Sequence, residues 1–375
     1  RALYAAGLLA WELGDLAAAR TLLEESAAIG RDLGDKRLIA HPLLWLAKVV
    51  TTRGERTLAR SYYEESVTLF RDTDDRWGLA LSLGFHGNLL DSDEAKRSRL
   101  DESIRMFREL GEPWGLAFPL SYLGDYEWRQ GNHERARALL EEALALRRAV
   151  GHRFAIAVSL QYLAPIALHE GDLRRAAALR QEILSLYREM GHRPNVAWSL
   201  LALAEVALLA GDYEVARSQI GESLIMCREL GDRSGIAMGA LRLGAAALGQ
   251  EELRRAAALF GESWPTFREL GDDLRVAGCF TGLGAVAAAE GHCEQAARLF
   301  GAAAALCETT GVRQSPAEQA LYDRGMAAAR DVCGEEAVSA AWTEGRAMTP
   351  EQATALATWV ASQIGIEHEH EHEQV

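Results

Sequence analysis

The stretch Pro194–Gly231 decides the fold: it reads "PNVAWSLLALAEVALLAG" over 194–211 and "DYEVARSQIGESLIMCRELG" over 212–231. Leu200, Leu203, Ala204 and Ala207 recur at helical spacing in the first half, and Ala216, Ile220, Leu224 and Cys227 in the second. Each half is therefore an amphipathic helix. Gly211 ends the first by supplying the left-handed residue that terminates a helix, and Asp212 follows as the N-cap of the second. Gly231 and Asp232 repeat that punctuation at the next boundary.

Outward from this stretch the pattern returns every forty residues. Gly111, Gly151, Gly191, Gly231, Gly271 and Gly311 form one series, and most close the phrase "R-E-[LM]-G-[DH]". Gly131, Gly171, Gly211 and Gly291 run between them on the same period, and Asp15, Asp35, Asp172 and Asp272 occupy equivalent cap positions. A period of this length marks a solenoid, in which each unit buries its apolar face only against its neighbours.

The small residues define the unit. Gly7, Ala47, Gly87, Gly124, Ala164, Ala204, Gly244 and Gly284 stand where the first helix must approach its partner closely, and Ala19, Ala59, Ala136, Ala176, Ala216, Ala256 and Ala296 stand in the second helix. A Leu-[Gly/Ala] in one helix and Ala in the next resembles the tetratricopeptide repeat. The resemblance covers residues 1–311 in eight units, each longer than the common 34-residue period and without its closing proline. HEAT-type repeats share the forty-residue period but not this pattern. The resemblance implies an all-α, right-handed superhelical solenoid. The third unit, Asp74 to Gly111, is three residues short near "NLLDSDEAKRS", and Lys96 takes the place of the second-helix alanine.

After Gly311 the period stops. Ser315-Pro316 and Thr349-Pro350 start two further helices, so residues 312–365 read as the helical cap that a solenoid needs. The stretch from "AARLFGAAAAL" through "TPEQATALA" resembles the end of the sensor arms of bacterial STAND-class signalling ATPases, including LuxR-type, maltose-activator-like regulators. That resemblance implies a sensor module whose ATPase and effector domains precede Arg1, because there is no P-loop motif here and too little chain follows Met348 for a helix-turn-helix. The start of the chain within a helical pattern, at Arg rather than Met, gives the same expectation of a longer parent protein. Residues 366–375, with His368, His370 and His372 among glutamates, read as a disordered tail without metal.

A net charge of −14 argues against a nucleic-acid surface. The five cysteines, Cys227, Cys279, Cys293, Cys307 and Cys333, show no zinc spacing and suit a reducing, cytoplasmic setting. No run of 18 apolar residues suggests a membrane span. No catalytic motif and no cofactor motif is present, so an enzyme is not expected. Charged pairs at helical spacing, as in "EEALALRR", read as weak surface pairs.

Binding is the remaining class. In tetratricopeptide arrays the first helix of each unit lines a concave groove. Carried onto this sequence, that rule nominates Trp11, Lys48, Asn88, Ser121, Asp125, Trp128, Arg129, Gln161, His169, Trp198 and Glu205 as groove residues for a protein, peptide or small polar inducer. The equivalent face of units 7 and 8 (Leu241, Ala245, Leu248, Thr281, Ala285, Ala288) is nearly bare of polar groups and suits a helix or a second copy of the chain. The expected function is a non-enzymatic binding module, the C-terminal sensor arm of a bacterial signalling ATPase or transcription regulator. The alternative is a free-standing scaffold that joins protein partners.

Overall fold

A computed structural model describes residues 1–12, 14–311 and 314–366, so the His/Glu tail lies outside the described residues. The described residues form helices and their connecting turns, without strands. The chain divides into two bodies, 1–166 and 167–375.

The first body opens with α1 (Ala2–Glu12), α2 (Leu16–Asp32), α3 (Lys36–Thr52) and α4 (Arg56–Asp72). It continues with α5 (Arg76–Leu89), α6 (Asp93–Leu110), α7 (Pro113–Arg129) and α8 (His133–Val150), and α9 (Arg153–His169) closes it. Helices α3, α5 and α7 each pack on the even helices before and after them, α1 packs on α2, and α1, α3, α5 and α7 also touch one another in turn. The odd helices thus form a continuous inner face and the even ones an outer layer. Even helices supply the fully buried aromatic rings Tyr63, Phe70 and Phe107, and odd helices receive two of them on glycines. Phe70 and Phe107 are fully buried, with Gly78 and Gly115 so close that a Cβ there would overlap the rings. Truncating such an aromatic costs about 3–5 kcal/mol.

The second body holds α10 (Leu173–Glu189), α11 (Arg193–Ala210), α12 (Tyr213–Leu230) and α13 (Arg233–Gly249). Next come α14 (Leu253–Glu269), α15 (Asp273–Ala289) and α16 (Cys293–Thr310), followed by α17 (Pro316–Cys333), α18 (Glu335–Arg346) and α19 (Pro350–Ile366). Phe260 and Phe300 repeat the ring-on-glycine packing against Gly244 and Gly284. The last three helices leave the repeat: α17 lies on α15, α18 on α16 and α19 on α14. Ser315 starts α17 with a capping box to Glu318.

The turn glycines take the left-handed conformation, from Gly14 to Gly311. Asp15, Asp35, Asp172, Asp232 and Asp272 each accept a backbone N–H through the side chain. Asp212 sits at the N-cap of α12 but makes no such bond. Where the glycine series skips a beat, Asp74 and Glu251 adopt positive φ of 52° and 62°. The short third unit arises because α5 has 14 residues where its neighbours have 17.

Three findings differ from the sequence reading. Cys293 and Cys333 form a disulfide, with Cα atoms 6.2 Å apart, joining the start of α16 to the end of α17. Helical spacing within one segment cannot show that thiols forty residues apart meet. The helix α11 is long and apolar enough to span a membrane by length and composition, yet 56% of that window is buried within the structure, as in a core helix. Finally, many arginines pair between helices. The Arg of one "R-E-L-G" phrase reaches the glutamate of the next outer helix (Arg108–Glu142, 2.9 Å; Arg188–Glu222, 2.6 Å), and the Glu receives an arginine from the preceding inner helix (Arg76–Glu109, 2.5 Å; Arg193–Glu229; Arg233–Glu269). These exposed pairs each add little stability.

Candidate functional site

The inner helices of the first body each carry aromatic side chains. On α7, Trp114, Phe118 and Tyr122 stand four residues apart and therefore share a side. Trp45 on α3 and Phe85 on α5 stand at equivalent positions, each two residues before the small residue of its helix, as does Tyr122. The rings touch in sequence: Trp11 to Trp45 at 5.2 Å between centroids, Trp45 to Phe85 at 6.0 Å, Phe85 to Phe118 at 5.3 Å and Phe118 to Trp114 at 4.9 Å. Trp77 stacks on Trp114 at 6.0 Å, and its indole N–H donates to Glu112. Trp11, Trp77, Trp114 and Phe118 are only half-buried.

Two cations border this aromatic floor. The Lys48 ammonium donates to the Tyr122 hydroxyl at 2.9 Å and lies 5.0 Å from the Phe85 ring centre and 5.5 Å from that of Tyr122. Lys48 follows Trp45 by three residues, which places it on the same helix side. Arg147 comes from the outer helix α8 and passes between two inner helices. Its guanidinium donates to the Ala155 carbonyl and Ser159 hydroxyl on α9 and to the Ala117 carbonyl on α7, and stands 5.4 Å from the Phe118 centroid. It is 6% exposed, and burial pulls its pKa below the usual arginine range. Neither Lys48 nor Arg147 has a carboxylate within ion-pair distance among the described residues. Tyr162, beside them on α9, has its hydroxyl pushed up to about 12 by burial, with the Tyr122 and Asp125 charges adding to it.

The nominated groove residues fall into three groups. Trp11 and Lys48 belong to the aromatic face just described. Asp125 is half-buried and accepts from exposed Arg129 at 3.0 Å, half-buried Trp128 meets the His133 ring at 4.4 Å, and Asn88, Gln161 and His169 are exposed. Ser121, Trp198 and Glu205 are engaged inside the protein. Ser121 donates to the Ala117 carbonyl, and Trp198 donates to Asp232. Glu205 lies between Arg180 at 3.1 Å and Arg242 at 3.3 Å. Burial alone would raise the Glu205 carboxyl, but the Arg242 and Arg180 charges outweigh it and hold it below the usual range. Sequence reasoning missed Phe85, Phe118, Tyr122, Tyr162 and Arg147, because it sought polar groups beside the small residues.

In the second body the chain itself occupies the equivalent face. The Gln314 amide donates to the Thr281 hydroxyl at 2.6 Å, and a Cβ on Gly278 would sit 2.6 Å from a Glu318 carboxyl oxygen. Gly325 of α17 packs on Ala285 and the Phe300 ring. Leu241, Thr281, Ala285 and Ala288 are buried and Ala245 and Leu248 half-buried, and the α15 part of the apolar face assigned to a helix or a second copy lies against α17. Burial raises the Glu318 carboxyl pKa, against the Ser315 N–H and the Arg275 charge.

A tetratricopeptide-repeat family profile matches residues 120–151, and a profile described as anaphase-promoting complex subunit 5 matches 1–53 and 160–243. The comparison with curated proteins found no matching sequence. Among solved structures, the chain is similar to a STAND protein with a tetratricopeptide repeat sensor from Pyrococcus horikoshii (14% identity, TM-score 0.53, 92% of this chain and 55% of that one). The chain thus spans about half the length of that protein. It is also similar to a Rap protein complexed with competence and sporulation factor (15% identity, TM-score 0.53, 90% and 99%). A third similarity is to the apo quorum sensor NprR from B. thuringiensis (13% identity, TM-score 0.59, 81% and 86%). These likenesses establish the fold.

Proposed function

We propose that this tetratricopeptide-repeat chain is a non-enzymatic binding module that takes a peptide or protein segment on the inner helices of its first body. The observation that carries the reading is the run of half-buried rings Trp11, Trp77, Trp114 and Phe118, joined through the buried rings of Trp45 and Phe85 and bordered by Lys48 and Arg147. Aromatic side chains left partly wet beside a few fixed polar groups are the composition of a recognition surface. The second body supports it, because its matching face already holds a segment of polypeptide. Residues 1–311 serve as the repeat array and 312–365 as its cap. The Rap structure, complexed with competence and sporulation factor, and the NprR quorum sensor make a signalling context reasonable for this fold.

Within that context the chain is the C-terminal sensor arm of a bacterial signal-transduction ATPase or transcription regulator. Binding shifts the parent protein between states only so far as the ligand prefers one of them. A peptide selected from a random display library, then mapped by hydrogen exchange, tests the module. Protection of α3, α5 and α7 supports it; protection confined to α4, α6 and α8 overturns it. A P-loop domain encoded upstream of Arg1 supports the sensor role, and a reading frame without one replaces it with the free-standing scaffold.

A further inference from the structure

The second body buries a carboxyl group that has no cation of its own. Glu318, 9% exposed, stands in the first turn of α17, where one carboxyl oxygen accepts the Ser315 N–H at 2.9 Å. The other oxygen lies over Gly278 of α15. A side chain stands at the matching position of the six preceding units, Phe118, Trp198 and Met238 among them. In the eighth unit glycine makes room for the carboxyl group instead.

The charges around it are already matched to other partners. Glu205 of α11, a helix that α17 also touches, takes Arg180 of α10 at 3.1 Å and Arg242 of α13 at 3.3 Å. Arg275 of α15 leans toward its own cap residue, Asp272, at 3.9 Å. No arginine or lysine lies within ion-pair distance of Glu318 among the described residues. The other titratable groups that face it are the thiols of Cys279 on α15 and Cys307 on α16. Burial foremost, and the Glu318 charge with it, pushes them up to about 12 and about 11, so both are neutral. Burial also raises the Glu318 carboxyl above the usual glutamate range, with the Glu205 charge adding and the Ser315 N–H, Arg275 and Arg242 opposing.

We propose that Glu318 is a proton-operated latch on the cap: with its proton it lets the first turn of α17 lie buried on α15, and on losing that proton to solvent it drives the turn off the inner face of the second body. The Cys293–Cys333 disulfide ties the far end of α17 to α16, so the movement is confined to the start of the helix. It uncovers the strip from Gly278 to Thr281, which Glu318 and Gln314 otherwise cover. An undocked Glu318 titrates in the usual range and the docked one above it. Docking is therefore strongest below the usual range and weakens as pH rises through the docked value, where an ionised carboxylate has to stay buried.

The test is hydrogen exchange of the full, oxidised chain at about pH 4.5 and 7.5, expressed as protection factors that remove the intrinsic effect of pH on exchange. Relative to the amides of α12, those in the first two turns of α17 are expected to lose about fivefold or more of their protection at the higher pH. Glu318→Gln keeps the capping box, because Gln accepts the Ser315 N–H as Glu does, and should abolish that loss. Arg275→Gln removes a charge that favours the ionised form and should deepen it. Protection that is unchanged or greater at the higher pH in the unaltered chain overturns the latch. So does a loss of the same size in Glu318→Gln, or one that Arg275→Gln fails to deepen.

Discussion

The Lys48 ammonium and the Tyr122 hydroxyl, 74 residues apart in sequence, meet at 2.9 Å across the inner face and bridge α3 to α7 past α5. A bond that skips a repeat resists bending between the units it spans. Tyr122→Phe removes only the acceptor, and Lys48 is wet enough to be resolvated. The expected loss is about 0.5–1.5 kcal/mol in urea denaturation, and an unchanged midpoint would show that the bond contributes nothing.

The skipped glycines offer a gain in stability. Glu251 holds the left-handed backbone that glycine adopts elsewhere in the series, a conformation that crowds its Cβ against the carbonyl. Glu251→Gly is expected to stabilise the chain by about 0.5–1 kcal/mol, and Asp74→Gly by less, since aspartate tolerates this region better. Thermal melts of the two variants check both the sign and the order.

Removing Glu205 leaves Arg180 and Arg242 facing each other in a buried site. Glu205→Leu is expected to cost about 3–5 kcal/mol, because uncompensated buried charge is far worse than the intact triad. Chemical denaturation measures it; a loss below 1 kcal/mol, as at an exposed pair, would refute the buried network.

His86 is 4% exposed, and neither ring nitrogen has a partner. Burial depresses its pKa below the ordinary 6.5, Arg99 and Arg60 add to the effect, and Glu64 opposes it. The unfolded chain therefore takes up a proton near that pH that the folded chain refuses. This site leaves stability unchanged above the ordinary value, reduces it as pH falls below 6.5, and levels off beneath the folded pKa. Urea midpoints at about pH 7.5 and 5.5 should show a drop that shrinks in His86→Phe. An equal drop in both proteins would clear His86 of the effect.

The cysteines make a counting experiment. Under non-reducing denaturation, thiol titration should find three free groups of five, rising to five after reduction. A disulfide across this separation restricts the unfolded chain and is worth about 2–4 kcal/mol, so reductant should lower the melting temperature. Five free thiols at the outset would remove the cross-link from the account.

The repeats were legible because their physics is local. A helix ends where Gly211 takes positive φ, and its neighbour begins where Asp232 or Asp172 caps it. The binding face was only half legible. Trp11 and Lys48 stood beside small residues and could be nominated, but Phe85, Tyr122 and Tyr162 looked like ordinary core. Their position two residues before the Gly or Ala was the available signal. Arg147 carried no signal at all: helical spacing near Glu141 and Glu142 suggested a surface pair, whereas the direction in which α8 faces α7 and α9 is a tertiary property. Glu205 was read as a ligand contact for the converse reason, since nothing local shows that Arg180 and Arg242 converge on it.

Because α17 fills the face of α15, with Gly325 on Ala285 and Gln314 on Thr281, the repeats of the second body and the three helices after them share one core. A shortened chain stopping at Gly311 would bare that alanine-rich surface to water, invite clumping during expression, and mimic a loss of function that has nothing to do with recognition. The practical boundary for any minimal version of the second body therefore falls at the end of α19 rather than at the last repeat.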